Sequence, residues 1–284
     1  MPAAYTTLIS TDALAQRLAD RKLVVVDVRH DLTSPERWGE DQYRTGHVPG
    51  ARFAHLDRDL SAPRTGTNGR HPLPSPEALA ETLGRLGIGI DSQVVAYDQQ
   101  QGMYASRLWW MLRWLGHETV AVLDGGFHQW MRERRPVSVE VPRVEPAVFP
   151  IRRVGPVVDA KAIQASLADR SLIVVDARSP ERWRGDVEPL DPVAGRIPGS
   201  LNRPASQNLT TASTFKPAED LRADFDRLLG DAPRDRVVHS CGSGVTACHN
   251  VLAMAIAGYP PTLLYPGSWS EWCSDPSRPV ARGG

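Results

Sequence analysis

A long internal repeat constrains the fold of this chain more than any other feature. The segment LVVVDVR at residues 23–29 returns as LIVVDAR at 172–178. GHVPG from Gly46 returns at the same spacing as GRIPG from Gly195. SPERW also occurs twice, at a slightly different spacing, which indicates insertions and deletions in loops between fixed points. A repeat of this length predicts two copies of one domain.

Each copy alternates apolar, β-branched runs with amphipathic segments. In the first copy, residues 23–26, 94–97 and 120–123 are typical of buried strands, whereas 76–86 and 104–116 have helical periodicity. Short strands separated by helices favour right-handed crossovers and a parallel sheet. The predicted fold class is therefore α/β, with two tandem domains, each a parallel-sheet core with helices on both faces.

The length of 284 residues also suits two domains. A stretch rich in proline and valine, without helical periodicity, separates the copies and is typical of an extended linker. We predict an N-terminal domain over 1–138, a linker over 139–158 and a C-terminal domain over 159–284.

Composition argues against several functional classes. The 33 Lys and Arg residues balance 33 Asp and Glu residues, so no basic excess predicts binding to nucleic acid. The sequence has no apolar run of about 18 residues and no signal-peptide core, so no membrane partner is expected. Three cysteines without paired spacing favour a reducing compartment over a disulfide framework. We expect a cytoplasmic protein that acts on a small substrate.

The segment VVHSCGSGVTACHNVLAMAIAG contains the candidate nucleophile, Cys241. An apolar strand leads to this cysteine, and a short loop separates it from a helix. Inward backbone N–H groups and the helix N-terminus would favour a thiolate, which is the reactive form of cysteine. Gly242 and Gly244 allow the backbone to approach a bound anion closely. Ser243 and Thr246 add hydroxyl donors.

Other residues near this segment are predicted to be structural. Cys248 begins a stripe with helical spacing, which indicates a buried helix face. Cys273 has no cluster of cysteine or histidine with which to bind a metal. His249 is expected to face solvent or another domain rather than the sulfur. In the first copy, Asp98 stands where the nucleophile would be, so we predict one competent site, in the second copy.

These motifs together resemble the tandem-domain rhodanese superfamily of sulfurtransferases over nearly the whole chain. The loop CGSGVT is similar to the 3-mercaptopyruvate sulfurtransferase branch, since thiosulfate-specific rhodaneses usually carry basic residues directly after the cysteine. GHVPG, DGG with a following Trp, and YPGSW with a following Trp are also family features. The resemblance implies that Cys241 takes sulfur from a small anionic donor, 3-mercaptopyruvate or thiosulfate, and passes it as a persulfide to cyanide or a thiol. Neither a metal nor an organic cofactor is expected.

The resemblance also assigns roles to residues around the loop. Ser243, His71 and Asp57 would form a hydrogen-bonded group that handles a proton or orients the donor. Arg182 matches the position whose guanidinium binds the anionic group of the donor. The residues expected to contact substrate are Arg182, Gly242, Gly244, Val245 and Thr246.

The chain departs from the family pattern at one position. Mercaptopyruvate enzymes usually carry a second donor-binding arginine after a Glu-Pro pair, and here Leu190 stands at that place. The missing guanidinium leaves the preferred donor open. Arg184 and Arg196 are candidates for a substitute charge.

A cysteine nucleophile at the end of a strand also occurs in two other functional classes. A cysteine phosphatase of related fold needs an arginine six residues after the nucleophile, where this chain has Ala247, which argues against a hydrolase. A module that only carries persulfide sulfur to a dedicated protein partner is the open alternative.

Overall fold

A computed structural model describes residues 4–99 and 101–283, and these form two compact units. Unit 1 comprises residues up to Ser61, Pro74–Gly155 and Thr211–Thr214, and unit 2 comprises Ala62–Leu73, Pro156–Thr210 and Phe215 onward. Each unit therefore includes a short segment from the other half of the sequence. The limits 1–138, 139–158 and 159–284 stay a prediction, which did not include these exchanged segments.

Unit 1 contains a five-stranded parallel sheet in the order β1-β5-β4-β2-β3. Its strands are β1 (Leu8–Ile9), β2 (Leu23–Asp27), β3 (Arg52–Phe53), β4 (Gln93–Tyr97) and β5 (Val120–Leu123). Its helices are α1 (Thr11–Ala15), α2 (Trp38–Thr45), α3 (Pro76–Arg85), α4 (Ala105–Trp114) and α5 (Gly126–Arg132). The apolar runs and the two periodic segments of the first copy lie in the predicted kinds of element.

Unit 2 contains a four-stranded parallel sheet in the order β7-β6-β8-β9. Its strands are β6 (Ile173–Asp176), β7 (Leu201–Asn202), β8 (Val237–Ser240) and β9 (Leu263–Leu264). Its helices are α6 (Ala160–Ser166), α7 (Pro180–Arg184), α8 (Ala218–Leu229), α9 (Ala247–Ile256) and α10 (Ser268–Trp272). Since β9-β8-β6-β7 has the same order as β5-β4-β2-β3, the α/β fold and its duplication are confirmed.

The same buried ion pair follows the first strand of the repeat in each unit. The guanidinium of Arg29 donates to the Asp27 carboxylate with an Nη2–Oδ2 distance of 2.6 Å, and Arg178 donates to Asp176 at 2.7 Å. Each arginine also donates to the carbonyl of the first glycine in the following GHVPG or GRIPG motif. A paired, hydrogen-bonded charge can be buried where an isolated one cannot, so the two copies fix their strand ends alike.

The segment between the units lies in extended conformation along unit 1. The backbone N–H groups of Ala147 and Gly155 donate to carbonyls of α3 and α4, at 2.9 and 2.8 Å. Its valines are largely exposed, with Val148 at 88%. Phe149, by contrast, is buried and contacts the His117 ring, so backbone hydrogen bonds and a buried aromatic side chain together hold this segment.

Among residues 4–99 and 101–283, no helix has the length and apolar character needed to cross a bilayer.

His239, in the centre of β8, predicts a specific dependence of stability on pH. The ring is fully buried, and neither of its nitrogens has a hydrogen-bond partner among the described residues. Burial disfavours the imidazolium and lowers the pKa of His239 to about 3. In the unfolded chain, His239 binds a proton below a pKa of about 6.5, whereas in the folded chain it stays neutral. The free energy of unfolding therefore decreases as the pH falls below about 6.5.

We therefore expect His239→Leu to reduce the loss of Tm between pH 8 and pH 5, as measured by thermal unfolding at a series of pH values. His128→Leu, which alters an exposed histidine, is the control and should leave that loss unchanged. An equal loss of Tm in wild type and His239→Leu would contradict the assignment.

Candidate active site

The predicted nucleophile lies at the carboxyl end of the β8 strand. Cys241 is the first of six residues between β8 and α9, and only 2% of its surface is exposed. The backbone N–H of Gly244 donates to the Cys241 sulfur at 3.2 Å. Gly244 has φ +78°, a conformation that glycine adopts without strain. The loop thus turns an amide donor onto the sulfur, as its glycine spacing predicts.

A second loop, Pro266–Ser270, whose last three residues begin α10, holds the Cys241 loop in place. The N–H of Cys241 donates to Ser268 Oγ at 3.0 Å, while the carbonyls of Cys241 and Gly242 accept from the N–H groups of Trp269 and Ser270. Ser268 has φ +53°, an uncommon conformation for a residue with a Cβ. The YPGSW motif thus has a supporting role that its sequence did not reveal.

The equivalent loop of unit 1 encloses an anion of its own. The Asp98 carboxylate accepts hydrogen bonds from the N–H groups of Gly102, Tyr104 and Ala105 at 2.9, 2.8 and 3.2 Å. Gln100, within the loop compared with that of Cys241, lies outside the described residues. The corresponding loops thus both direct backbone N–H groups inward, three onto the Asp98 carboxylate in unit 1 and that of Gly244 onto the Cys241 sulfur in unit 2.

The structure brings together two of the three residues of the predicted hydrogen-bonded group. His71 belongs to the Ala62–Leu73 segment of unit 2, and its Nδ1 lies 2.7 Å from Ser243 Oγ. Both side chains are buried. Asp57 belongs to unit 1, where its carboxylate lies 4.0 Å from His30 Nε2.

Arg182 is held above the loop by two buried carboxylates. Its Nη2 lies 2.6 Å from Glu188 and 3.4 Å from Asp191, whose side chains are each 2% exposed. A methyl group built on Gly242 would lie 3.4 Å from the same nitrogen. The guanidinium therefore lies beside the residue that follows the nucleophile, and sequence reasoning had not found the carboxylates that hold it.

Arg178 adds a buried positive charge to unit 2. Burial lowers the pKa of this guanidinium, but attraction to Asp176 and Glu188 outweighs burial, so the pKa is raised. Its electrostatic interaction with Cys241 acts in the same direction. A permanently protonated arginine thus contributes to the field at the sulfur.

Arg70 is a second guanidinium above the loop that sequence reasoning missed. Its Nη1 is paired with Asp191, and its Nη2 lies 2.8 Å from a methyl group built on Gly242. Its backbone N–H donates to Ser270 Oγ at 3.0 Å. The family resemblance indicated the neighbouring His71 but not Arg70, whose place above the loop depends on its long-range pairing with Asp191.

The other candidate charges are engaged elsewhere in unit 2. Arg184 pairs with Asp186 at 2.8 Å, and Arg196 lies over the Trp183 ring at 3.9 Å. Leu190 is 40% exposed. These contacts of Arg184 and Arg196 place neither guanidinium beside the Cys241 loop.

The remaining predicted residues line the start of α9. Val245 is buried and Thr246 half-buried, and Cys248 is fully buried with its thiol donating to the Gly244 carbonyl at 3.4 Å. The expectation that His249 faces solvent or another domain is wrong. Its fully buried ring stacks on Phe215 within unit 2 and lies 3.1 Å from the Asn208 amide, which satisfies its polarity.

Comparisons with known proteins agree with this geometry. The family profile named Rhodanese-like domain matches residues 10–133 and 159–275. The chain belongs to the rhodanese-like family.

Relatives of this rhodanese-like protein match it along its whole length. A "Probable 3-mercaptopyruvate sulfurtransferase" of Pseudomonas aeruginosa is 46% identical over 279 residues, covering 97% of this chain and 98% of the relative. A thiosulfate sulfurtransferase of Rattus norvegicus is 36% identical, covering 98% and 96%. The crystal structure of SseA from Escherichia coli, described as a 3-mercaptopyruvate sulfotransferase, is 30% identical, covers 93% and 99%, and has a TM-score of 0.80.

One group of residues in unit 1 has ligand atoms close enough together for a metal ion. His30, His55 and Asp57 offer such atoms within 4.8 Å of one another. However, His55 Nδ1 accepts from the N–H groups of Asp57 and Arg58, and its Nε2 lies 3.2 Å from the Glu36 carbonyl. Since both nitrogens of His55 are engaged, this arrangement favours a hydrogen-bonded cluster.

We expect Gly244→Ala to abolish sulfur transfer and to lower Tm. The added Cβ would lie 2.1 Å from the Pro266 carbonyl, and φ +78° is strained for alanine, so the loop must move its amide off the sulfur. Activity assays and thermal unfolding measure the two effects.

Gly258→Ala is the matched control. Gly258 has the same φ of +78°, but the heavy atom nearest to an added Cβ is 3.9 Å away. This variant should lose about 1 kcal/mol of stability and keep its activity. Normal activity in Gly244→Ala would contradict the role of the amide.

Proposed function

We propose that this protein is a sulfurtransferase in which Cys241 accepts a sulfane sulfur from a small anionic donor and passes it to cyanide or a thiol. The observation that carries the proposal is the Gly244 amide on the Cys241 sulfur, in a loop whose duplicate encloses the carboxylate of Asp98. The names of full-length relatives as 3-mercaptopyruvate and thiosulfate sulfurtransferases support the same reaction.

Sulfur moves in two balanced displacements. The Cys241 thiolate attacks the terminal sulfur of the donor and forms an S–S bond. The bond between that sulfur and the rest of the donor breaks, and the departing group keeps its electron pair. Sulfite leaves from thiosulfate, or the enolate of pyruvate from 3-mercaptopyruvate. The acceptor then attacks the outer sulfur, and the Cys241 thiolate leaves. Since the thiolate and the persulfide are both anions, the Gly244 amide is proposed to stabilise each state without rearrangement.

His71 and Ser243 are proposed to manage the proton of the reaction. Their 2.7 Å contact forms a relay at the loop, which can donate to the leaving enolate or orient the donor. Because sulfite needs no proton on leaving, the relay should matter most for 3-mercaptopyruvate.

Partners and compartment follow from the same features. A balance of charges gives no basis for binding nucleic acid, and the chemistry requires only a donor and an acceptor. All three cysteines are free thiols, which suits the proposed cytoplasmic location.

Cys241→Ser should abolish formation of thiocyanate from cyanide with either donor, because a serine hydroxyl cannot carry the transferred sulfur. Cys273→Ser is the control, since this buried cysteine should not take part. Steady-state turnover measures both. Appreciable turnover in Cys241→Ser would contradict the proposal, and transfer of a single stoichiometric sulfur by wild type would favour the persulfide carrier instead.

Ser243→Ala should lower kcat with 3-mercaptopyruvate about 100-fold or more, in the range of general acid–base catalysis, and lower kcat with thiosulfate much less. The comparison of kcat for the two donors on one preparation measures the difference. Ser166→Ala, which removes a buried hydroxyl of unit 2 that donates to the Ile163 carbonyl within α6, is the matched control and should leave both kcat values unchanged. Equal losses with both donors would contradict a proton role for the pair.

A further inference from the structure

We propose that Arg70 binds the anionic group of the sulfur donor together with Arg182, and that Asp191 positions both guanidinium groups. This inference rests on the proposed function, because it names the residues that select the substrate of the same site. The ligand chemistry is an oxyanion, either the carboxylate of an α-keto acid or the sulfonate of thiosulfate.

The guanidinium groups of Arg70 and Arg182 lie on the same side of Gly242. Arg70 Nη2 and Arg182 Nη2 both lie on the side of Gly242 where a side chain would project, at 2.8 and 3.4 Å from a built Cβ. Gly242 directly follows Cys241. A donor whose sulfur meets Cys241 therefore has two positive groups within reach of its oxyanion.

The Asp191 carboxylate contacts both guanidinium groups. Arg70 Nη1 is paired with Asp191 Oδ1, while Arg182 Nη2 lies 3.4 Å from Asp191 Oδ2, so one carboxylate holds both arginines. The Asp191 side chain is 2% exposed, whereas Arg70 and Arg182 are 20% and 18% exposed. The accessible edge of this cluster is therefore cationic.

Backbone contacts fix the position of Arg70. Its N–H donates to Ser270 Oγ, and the N–H of Ser270 donates to the Gly242 carbonyl at 2.9 Å. Gly69 has φ +86°, and a Cβ there would lie 2.9 Å from the Gly267 carbonyl. The chain at Arg70 is thus joined to the same loop that supports Cys241, which is the rigidity that a selective site needs.

Arginine suits this task because its planar fork can pair with two oxygens of a carboxylate or sulfonate. Asp191 occupies one edge of the Arg70 fork, and Nη2 is turned toward Gly242. Leu190 offers no charge, so Arg70 supplies the second guanidinium from a distant part of the sequence.

Steady-state kinetics of Arg70→Gln and Arg70→Lys, with thiosulfate and with 3-mercaptopyruvate, test the proposal. A neutral thiol, dithiothreitol, serves as acceptor so that its binding does not depend on the same charges. Arg70→Gln should raise the KM of at least one donor about tenfold or more and change kcat little, since a charge-assisted hydrogen bond is lost. The donor with the larger rise identifies the oxyanion, and Arg70→Lys should recover part of the loss.

Arg227→Gln is the matched control, because it removes an equal charge from unit 2 at an arginine whose side chain is 77% exposed. It should leave both KM values unchanged. Asp191→Asn should raise the KM of the same donor, since both guanidinium groups lose their shared anchor. If Arg70→Gln lowers Tm while the KM of both donors stays at the wild-type value, Arg70 is merely structural and the proposal is overturned.

Mass spectrometry of wild type and Arg70→Gln after treatment with saturating donor separates this inference from the proposed function. Both proteins should gain one sulfur atom, about 32 Da, on Cys241. If wild type gains none, the proposed function itself fails. If wild type is loaded and half-saturation of loading needs the same donor concentration in both proteins, only the role of Arg70 fails.

Discussion

The hydrogen bond from the Gly244 amide to the Cys241 sulfur is the interaction on which the rest of the site depends. It requires a left-handed backbone at Gly244, and the Pro266 carbonyl fills the space where any side chain would be. It also requires the 266–270 loop, since Ser268 accepts from the Cys241 amide and thereby orients the start of the turn. The sheet places the sulfur at a strand end, but these local contacts determine its chemical environment.

The two copies of the fold place different side chains at the same loop position. A parallel sheet presents its ligand-binding loops at the carboxyl ends of its strands, and in both units that loop directs backbone N–H groups onto the side chain that follows the strand. In unit 1, that side chain is the Asp98 carboxylate, which accepts hydrogen bonds from the amides and cannot carry sulfur. In unit 2, it is the Cys241 sulfur, which accepts from the Gly244 amide and can gain and lose an atom. The contrast explains how two similar folds in one chain can have one reactive centre.

Features carried by local sequence could be predicted, and features carried by long-range contacts could not. Apolar runs and their spacing indicated β2, β4, α3 and α4, and the Cys241 loop was placed correctly between strand and helix. Arg70 and Asp191 were missed because they are far apart in sequence and meet only after the 62–73 segment joins unit 2. His249 was misjudged because it follows Cys248, which was assigned to the buried face of its helix, whereas Asn208 and Phe215 provide a buried partner and a stacking surface for His249 as well.

Peptide mass spectrometry after treatment with thiosulfate or 3-mercaptopyruvate shows whether Cys241 carries the transferred sulfur. One added sulfur, about 32 Da, is expected on the peptide that contains Cys241, and cyanide should remove it as thiocyanate. An unmodified Cys241 peptide, or a sulfur found only on Cys248 or Cys273, would contradict this expectation.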